Sequence, residues 1–234
     1  MAIKTGVGPG TRRATGDAIL AAARAVDTHL IKARLAAFER AHRAYTAAQG
    51  KVEAEDGQLR AGQARVAEFD VAQDEAVENL ARMLVADGQP RANPFASFGA
   101  PAPSTLIKMP VIEEGKAIHK LVAAVQRNKT VSKATLQAAQ AADKAAKAVE
   151  QALVPIEKLQ TALKTARHTR DAVGQSWETA LAALKRGARA AGDDGAPQLY
   201  ATLFKGIAQP SPRNNKPKPP PPQPTPPQPA PVSA

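Results

Sequence analysis

The first pattern that could do chemistry is a glutamate three residues before a histidine, at Glu39 and His42. Helical bundles that hold two iron ions use this spacing, but they need two such motifs and two further inward glutamates. The other histidines, His29, His119 and His168, each lack a glutamate three positions earlier. We therefore interpret Glu39 and His42 as an exposed ion pair flanking a helix core, and we predict no metal site.

A second candidate is the adjacent pair of carboxylates at Glu113 and Glu114, which precede Gly115 at a predicted helix start. Negative side chains in a first turn complement the positive end of the helix dipole. General acid–base catalysis would also require a cleft and a second group within reach, and the sequence indicates neither. The pair is predicted to stabilise a helix start, and no catalytic residue is assigned.

The glycine-rich run from Gly6 to Thr11 has the glycine count of a phosphate-binding loop. Such a loop follows a strand, opens a helix and offers backbone N–H groups to the phosphate. No strand precedes Gly6, and Pro9 lacks an N–H donor. We predict that residues 1–14 form a flexible basic arm instead.

Cysteine is absent from the 234 residues. Its absence excludes disulfides, zinc–thiolate sites, iron–sulfur clusters and cysteine nucleophiles. Serine, histidine and aspartate occur without a nucleophile-elbow or triad signature. The sequence therefore predicts no enzyme, no cofactor and no small-molecule substrate.

Two runs of residues in heptad steps, of three and four residues in the first and of three, four or seven in the second, dominate the chain. The first comprises Phe38, Ala41, Tyr45, Ala48, Val52, Glu55, Leu59, Gly62, Val66, Phe69, Gln73, Ala76, Leu80 and Met83. The second comprises Leu136, Ala139, Ala146, Val149, Leu153, Ile156, Leu163, Ala166, Val173, Trp177, Ala180 and Leu184. Such stripes need a partner helix along their whole length. We predict an all-α fold in which long antiparallel helices form an elongated coiled-coil hairpin or, if each folds again, a four-helix bundle.

Composition and punctuation divide the chain into six segments. These are the arm (1–14), a first helical arm (15–86), a Pro- and Gly-rich loop (87–110), a second helical arm (111–192), a short docked helix (193–208) and a disordered polyproline tail (209–234). The docked helix is expected because a two-turn amphipathic segment is too short to be stable alone.

Several positions could interrupt the two arms. The first could turn at Gly50–Gly57, but the heptad phase survives there, so a continuous helix is favoured; a stutter near Leu35 would reconcile its early phase. The second is expected to break between Arg127 and Lys133, with Thr130 or Ser132 as the new N-cap. Pro155 should kink it. Gly192 is placed just past its end.

The formal net charge is +11, and its distribution is uneven. Acidic residues dominate 52–87, whereas basic residues dominate 1–51 and 88–192. These blocks could pair within the molecule, or the basic surfaces could follow a phosphate backbone. The basic residues considered for that role are Arg12, Arg13, Lys32, Arg34, Arg40, Arg43, Arg167, Arg170, Lys185, Arg186 and Arg189.

Two short motifs resemble peptide ligands. Asn93-Pro94-Phe95 is interpreted as a turn that buries its aromatic ring, together with Phe98, over the end of the bundle. Lys218, Pro221 and Pro224 fit a basic residue followed by PxxP. That pattern is almost inevitable in so Pro-rich a tail, so a spacer role is favoured for it.

The predicted function is that of a non-catalytic structural or protein-interaction helix protein, a scaffold or spacer. Its expected partner is another protein or a second copy of itself. The alternative is a basic protein that associates with nucleic acid regardless of sequence. No apolar run is long enough for a membrane span or a signal peptide, so a cytoplasmic location is expected.

Overall fold

The computed structural model describes residues 8–205, and every regular element in that range is helical. The α-helices are α1 (Pro9–Arg24), α2 (Lys32–Ala86), α3 (Pro103–Leu106), α4 (Val111–Arg127), α5 (Lys133–Leu153), α6 (Ile156–Asp193) and α7 (Leu199–Leu203). Short 3₁₀ turns lie at His29–Ile31 and Ala96–Phe98. The predicted polyproline tail, with its Lys218–Pro224 motif, lies outside the described residues.

Helix α2 forms the axis of the molecule. Its 55 residues give a length of about 82 Å at a rise of 1.5 Å per residue. Helices α5 and α6 follow one another along it, so that α2 packs against both. The prediction of an all-α fold built on long antiparallel helices is confirmed, in the form of an elongated hairpin.

Helix α2 passes through its glycines without interruption. Gly50 and Gly57 lie on its exposed side with no neighbouring atom near the position of a Cβ, whereas Gly62 contacts Ile156 and Leu159 of α6. The helix stays continuous because packing along the seam stabilises it by more than the intrinsic cost of the glycines, about 1 kcal/mol each.

Replacing Gly50 with alanine is expected to raise the free energy of unfolding by roughly 0.5–1 kcal/mol, because alanine favours helix and nothing obstructs it. Gly57→Ala should behave alike. Gly88, with φ 91°, is the control, since alanine there would be strained. Urea unfolding measures all three, and a destabilised Gly50→Ala protein would contradict a continuous helix at that point.

The N-terminal boundary differs from the prediction in two ways. A helix begins at Pro9, within the predicted flexible arm, because proline suits the first helical position and Ile19 and Ala23 bury against the body. The predicted single arm 15–86 is also divided after Arg24. The side chain of Asp27 accepts the backbone N–H of His29 at 3.0 Å, which stabilises a turn. This turn, rather than a stutter near Leu35, reconciles the two apolar phases.

The second arm contains both predicted interruptions. Between α4 and α5, the Ser132 hydroxyl accepts the N–H of Thr135 at 3.2 Å, so Ser132 is the N-cap. Asp87, which follows α2, accepts the Ser132 N–H at 2.8 Å and the Thr135 hydroxyl at 2.7 Å. These bonds hold the pKa of Asp87 below its usual value. Val154 and Pro155 separate α5 from α6.

The loop between α2 and α4 closes one end of the rod. Phe95 and Phe98 are buried together with Leu80, Leu84 and Leu106, which confirms the predicted burial of the two rings. Asn93 shapes the turn, because its side-chain oxygen accepts the N–H of Phe95 at 3.0 Å.

The other end is closed by α1 and α7. Leu199, Leu203 and Phe204 are buried against α6 and α1, as expected for a short docked helix. The end of α6 differs from the prediction, since Gly192 is helical and the left-handed conformation belongs to Gly195, with φ 101°.

The rod therefore has three parts. The first head contains α1, the start of α2, the end of α6 and α7, around Phe38, Tyr45 and Trp177. The second head contains the end of α2, α4, α5 and the loop 87–110. The waist between them consists of residues 54–72 of α2 and 151–168 opposite. Its thin core contains Leu59, Leu163 and Ala166, and Val52 extends this core toward the first head.

Candidate functional site

The interpretation of Glu39 and His42 as an exposed ion pair is wrong for the histidine. Glu39 accepts a hydrogen bond from Arg43 at the surface, but His42 is only 4% exposed. Its ring lies between α1, α2 and α6, stacked on Phe38 at 6.0 Å. The sequence contained a signal for this burial, because His42 lies four residues after Phe38 and three before Tyr45, on the same stripe.

The hydrogen bonds of His42 determine its tautomer. The indole N–H of Trp177 donates to Nδ1 at 3.2 Å, and Nε2 lies 2.9 Å from Oδ1 of Asp17. Because an indole N–H only donates, Nδ1 must be the unprotonated nitrogen and Nε2 must carry the proton. A neutral His42 therefore donates to Asp17 and accepts from Trp177, and this chain of bonds joins α1 to α6 through α2.

Gly16 makes this close approach possible. A Cβ at Gly16 would lie 2.1 Å from Nδ1 of His42 and 2.2 Å from its Cε1. We expect Gly16→Ala to lower the free energy of unfolding by about 2 kcal/mol, since the packed ring cannot move away without losing its bonds. Hydrogen exchange should show α1 opening more readily than the rest of the rod.

The matched control for that change is Gly10→Ala on the same helix, where nothing lies within 4 Å of the new Cβ. In this control, amide hydrogen exchange in α1 should be unchanged or slower. Equal protection of α1 in the Gly16→Ala protein and the unaltered protein would contradict the packing of Gly16 on His42.

Glu113 and Glu114 lie at a helix start, as predicted, but the sequence did not predict that one of them is buried. Both lie in the first turn of α4, where the helix dipole stabilises a negative charge. Glu113 is exposed, but Glu114 is buried to 2% exposure against Gln73 and Asp74 of α2. The burial of Glu114 follows from the register of α4 on α2, which a single helix sequence does not specify.

The surroundings of Glu114 shift its protonation. Burial raises the pKa of its carboxyl from 4.5 to about 7, and the nearby charges of Asp74 and Asp70 act in the same direction. Burial also raises the pKa of Asp74. An acid with this pKa could serve in proton transfer if a substrate could reach it. At 2% exposure, inside a helix contact, Glu114 joins α4 to α2 and does not face a cleft.

His119 makes a third polar contact between helices, on the second head. Its Nδ1 lies 2.7 Å from Asp143 and its Nε2 3.3 Å from Glu150, both on α5. The bonds from Lys147 and His119 hold the pKa of Asp143 below its usual value. Within residues 8–205, no group of three or more His, Asp or Glu residues is arranged to hold a metal ion.

The glycine-rich run Gly6–Thr11 lies partly outside the described residues. Its described portion, from Gly8, forms the N-cap and first turn of α1, and the N–H of Arg12 donates to the Gly8 carbonyl. These groups start a helix, and no strand precedes them in the portion that the structure describes.

Several of the basic residues that were considered for nucleic acid bind groups of the chain itself. Arg12 pairs with Glu178 and lies over the Tyr45 ring, 5.6 Å from its centre. Arg13 pairs with Glu53 at 3.1 Å, and Arg167 lies 3.5 Å from Asp56. The last two pairs join basic segments to the acidic block, as one of the two interpretations of the charge pattern predicted.

The basic run near the end of α6 holds α7 in place. The Arg189 guanidinium lies 4.6 Å from the centre of the Tyr200 ring and donates to its hydroxyl at 3.0 Å. Lys185 lies over Phe204 at 5.6 Å. Such cation–π contacts contribute roughly 0.5–1 kcal/mol each at exposed sites, so these cations stabilise the first head.

A groove of about 590 Å³ lies along the waist. Its floor includes Ala162 and Thr161 of α6, and Val154 stands at one end with 79% of its surface exposed. Lys51 and Glu55 of α2 face Glu157 and Lys158 of α6 across it. The sequence did not predict this groove, because it exists only where two helices pack without a third.

Comparison of the chain with protein-family models, with curated proteins and with solved structures finds no match. Among the described helices, none combines the length and apolar character needed to cross a bilayer.

Proposed function

We propose that this chain is a non-catalytic structural protein, a helical spacer that holds two heads at a fixed separation and offers its surfaces to protein partners. The observation that carries this proposal is the division of one rod of about 80 Å into two separately packed heads and a thin waist. The predicted cytoplasmic location is part of the proposal.

The placement of the titratable groups supports a role without catalysis. The side chains best suited to catalysis or metal binding are His42, Glu114 and His119. His42 and His119 bond across a helix contact instead, to Trp177 and to Asp143, and Glu114 is buried where α4 meets α2. These polar side chains hold neighbouring helices in place relative to one another.

The rigidity of the heads supports a spacer more specifically. Buried aromatic rings fix the first head, where the ring centres of Phe38 and Trp177 are 5.7 Å apart. The second head is closed by Phe95 and by Asp87, which bonds the start of α5. A spacer transmits a distance only if its ends are rigid, and both ends have the packing for it.

The test of this proposal is a change of length. Deleting two heptads from each helix of the waist removes 14 residues per helix and shortens the rod by about 21 Å, while both heads and the heptad phase are kept. Small-angle scattering should report the shorter particle. Proximity labelling in the cell, from a tag on each head in turn, should then show altered neighbours for at least one head.

A control deletion confined to the polyproline tail leaves the rod length unchanged and should leave the head-specific neighbours unchanged. A spacer role would be excluded if the shortened rod kept every neighbour and the localisation of the full chain. A compact particle in scattering from the unaltered protein would exclude it as well.

A second candidate function is association with nucleic acid regardless of sequence, which the net charge of +11 favours. Lys116, Lys120 and Arg127 share one face of α4 and are exposed. Binding to duplex DNA at low salt that falls steeply as salt is added would support it, because each phosphate contact releases counterions. Binding that is absent at low salt, or unaffected by added salt, would remove it.

A further inference from the structure

We propose that the groove along the waist is the surface through which two copies of this chain associate, face to face, into a four-helix bundle at the middle of the rod. This inference rests on the proposed function, since it names the partner as a second copy and gives its place.

The two heads have covering helices and the waist has none within residues 8–205. On the first head, α1 reaches along α2 as far as Glu53, which pairs with Arg13. On the second head, α4 contacts α2 at Gln73 through Glu114. Between these two points α2 contacts the opposing arm, where Gly62 faces Ile156 and Leu59 packs with Leu163.

The seam is correspondingly less buried at the waist. Tyr45 and Leu80, which lie within the heads, are fully buried. Leu59, Val66 and Phe69 occupy the same heptad stripe but remain half-buried. Two helices alone cannot enclose a stripe of this width, and bundles of four bury it fully.

The charges of the groove favour a copy of the same chain over other occupants. Lys51 and Lys158 balance Glu55 and Glu157, so the groove is neutral on a chain whose net charge is +11. Among the described residues, none of these four side chains has an ion-pair partner within 4 Å.

Equal numbers of both signs are what a twofold contact requires, because the same patch must complement itself. Nucleic acid, by contrast, would gain little from a neutral patch, since it binds through an excess of positive charge. The neutral groove is therefore also the place where two strongly basic rods repel each other least.

The area is sufficient for a specific contact. Residues 54–72 span about 28 Å at the helical rise, and two helices side by side present a width of about 20 Å. The footprint is then roughly 550 Å² in projection, which the relief of side chains increases toward the 800 Å² per partner of an ordinary interface. Small side chains such as Ala162 and Thr161 allow a close approach at its centre.

The first arm of the test uses an apolar position. Sedimentation of the full chain over a wide range of concentration should show a monomer–dimer equilibrium. Val154→Lys should raise the dimer dissociation constant by about tenfold or more, because each dimer loses two buried valines. Ile112→Lys is the matched control, since Ile112 is 61% exposed on α4 of the second head, and it should leave the constant unchanged.

The second arm uses charge. The double variant Glu55→Lys with Glu157→Lys makes the groove wholly positive, and Lys51→Glu with Lys158→Glu makes it wholly negative. Each variant alone should be monomeric, and an equal mixture should form heterodimers that added salt weakens. Rescue by mixing cannot come from a damaged fold, so this arm separates the proposed contact from a general loss of stability.

A strictly monomeric protein at every concentration overturns the inference. So does dissociation caused equally by Ile112→Lys, or charge variants that fail to rescue each other. If scattering still shows a rod in those cases, the spacer proposal stands without the dimer. If the unaltered protein binds DNA through this groove, Val154→Lys strengthens that binding, and the inference is likewise overturned.

Discussion

Replacing Trp177 with alanine is expected to lower the free energy of unfolding by about 3–5 kcal/mol. Trp177 is 3% exposed, and its ring centre lies 5.7 Å from that of Phe38 and 6.2 Å from that of Tyr45. The substitution leaves a cavity in the core of the first head. It also removes the N–H that donates to His42, whose buried Nδ1 then has no donor.

A second substitution separates these two effects. Trp177→Phe keeps an aromatic ring but removes the donor, so its cost should be smaller, about 1–3 kcal/mol for the unsatisfied nitrogen and the altered shape. Urea unfolding followed by far-ultraviolet circular dichroism measures both variants, since neither retains the only tryptophan.

The position of the loss is as informative as its size. Hydrogen exchange should rise in α1, which is bonded to the body through Asp17 and His42. If Trp177→Ala cost less than about 1 kcal/mol, or if α1 kept its protection, the first head would not depend on this chain of bonds.

The stability of the second head should fall as the pH rises from about 4.5 to about 7, because of Glu114. Its pKa is raised in the folded protein to about 7, from 4.5. The folded state therefore keeps the proton through a range where the unfolded chain releases it, so the stabilisation is complete below pH 4.5 and lost above about pH 7. A shift of this size corresponds to ~3 kcal/mol at most.

Glu114→Gln should remove the part of this dependence that comes from Glu114, since the amide has the shape of the protonated acid and no charge to bury. The smaller part that comes from the raised pKa of Asp74 remains. The difference in unfolding free energy between the two proteins should be small at low pH and should favour the glutamine protein above pH 7. Gln73, Asp74 and Asp70 of α2 face the site, and they remain in both proteins.

The matched control is Glu113→Gln, in the same turn of α4 but exposed. Its difference from the unaltered protein should not change sign or grow across this pH range. A pH profile shared by the unaltered and Glu114→Gln proteins would show that the carboxyl ionises freely in the folded state.

Local sequence patterns determined the elements of this fold. Heptads such as the Phe38–Leu80 stripe require a partner along their length, so the two long arms follow from spacing alone. Punctuation at Asp87–Pro90, Ser132 and Pro155 marked where the helices end, since capping and proline act within one turn. Phe95 and Phe98 were predicted to be buried because they are the only aromatic rings in the loop 87–110, and aromatic rings are normally buried.

The roles of the candidate functional residues His42 and Glu114 were decided by the tertiary structure alone. His42 is four residues from Phe38, but its partners Asp17 and Trp177 are 25 and 135 positions away in the chain, and no local rule joins them. Glu114 became a buried acid through the register of α4 on α2. Whether α1 folds onto the body depended on Gly16, whose missing side chain makes room for His42.

The waist shows the same division most clearly. Its heptad stripe predicted a face that packs on a partner helix. Helix α1 covers α2 only as far as Glu53, and α4 covers it only from Gln73 onward. The stretch between them therefore packs on the opposing arm, and this follows from the tertiary structure. Burial is a sum over neighbours from distant parts of the chain, so spacing predicts which face is apolar, and tertiary packing decides how much of it remains exposed.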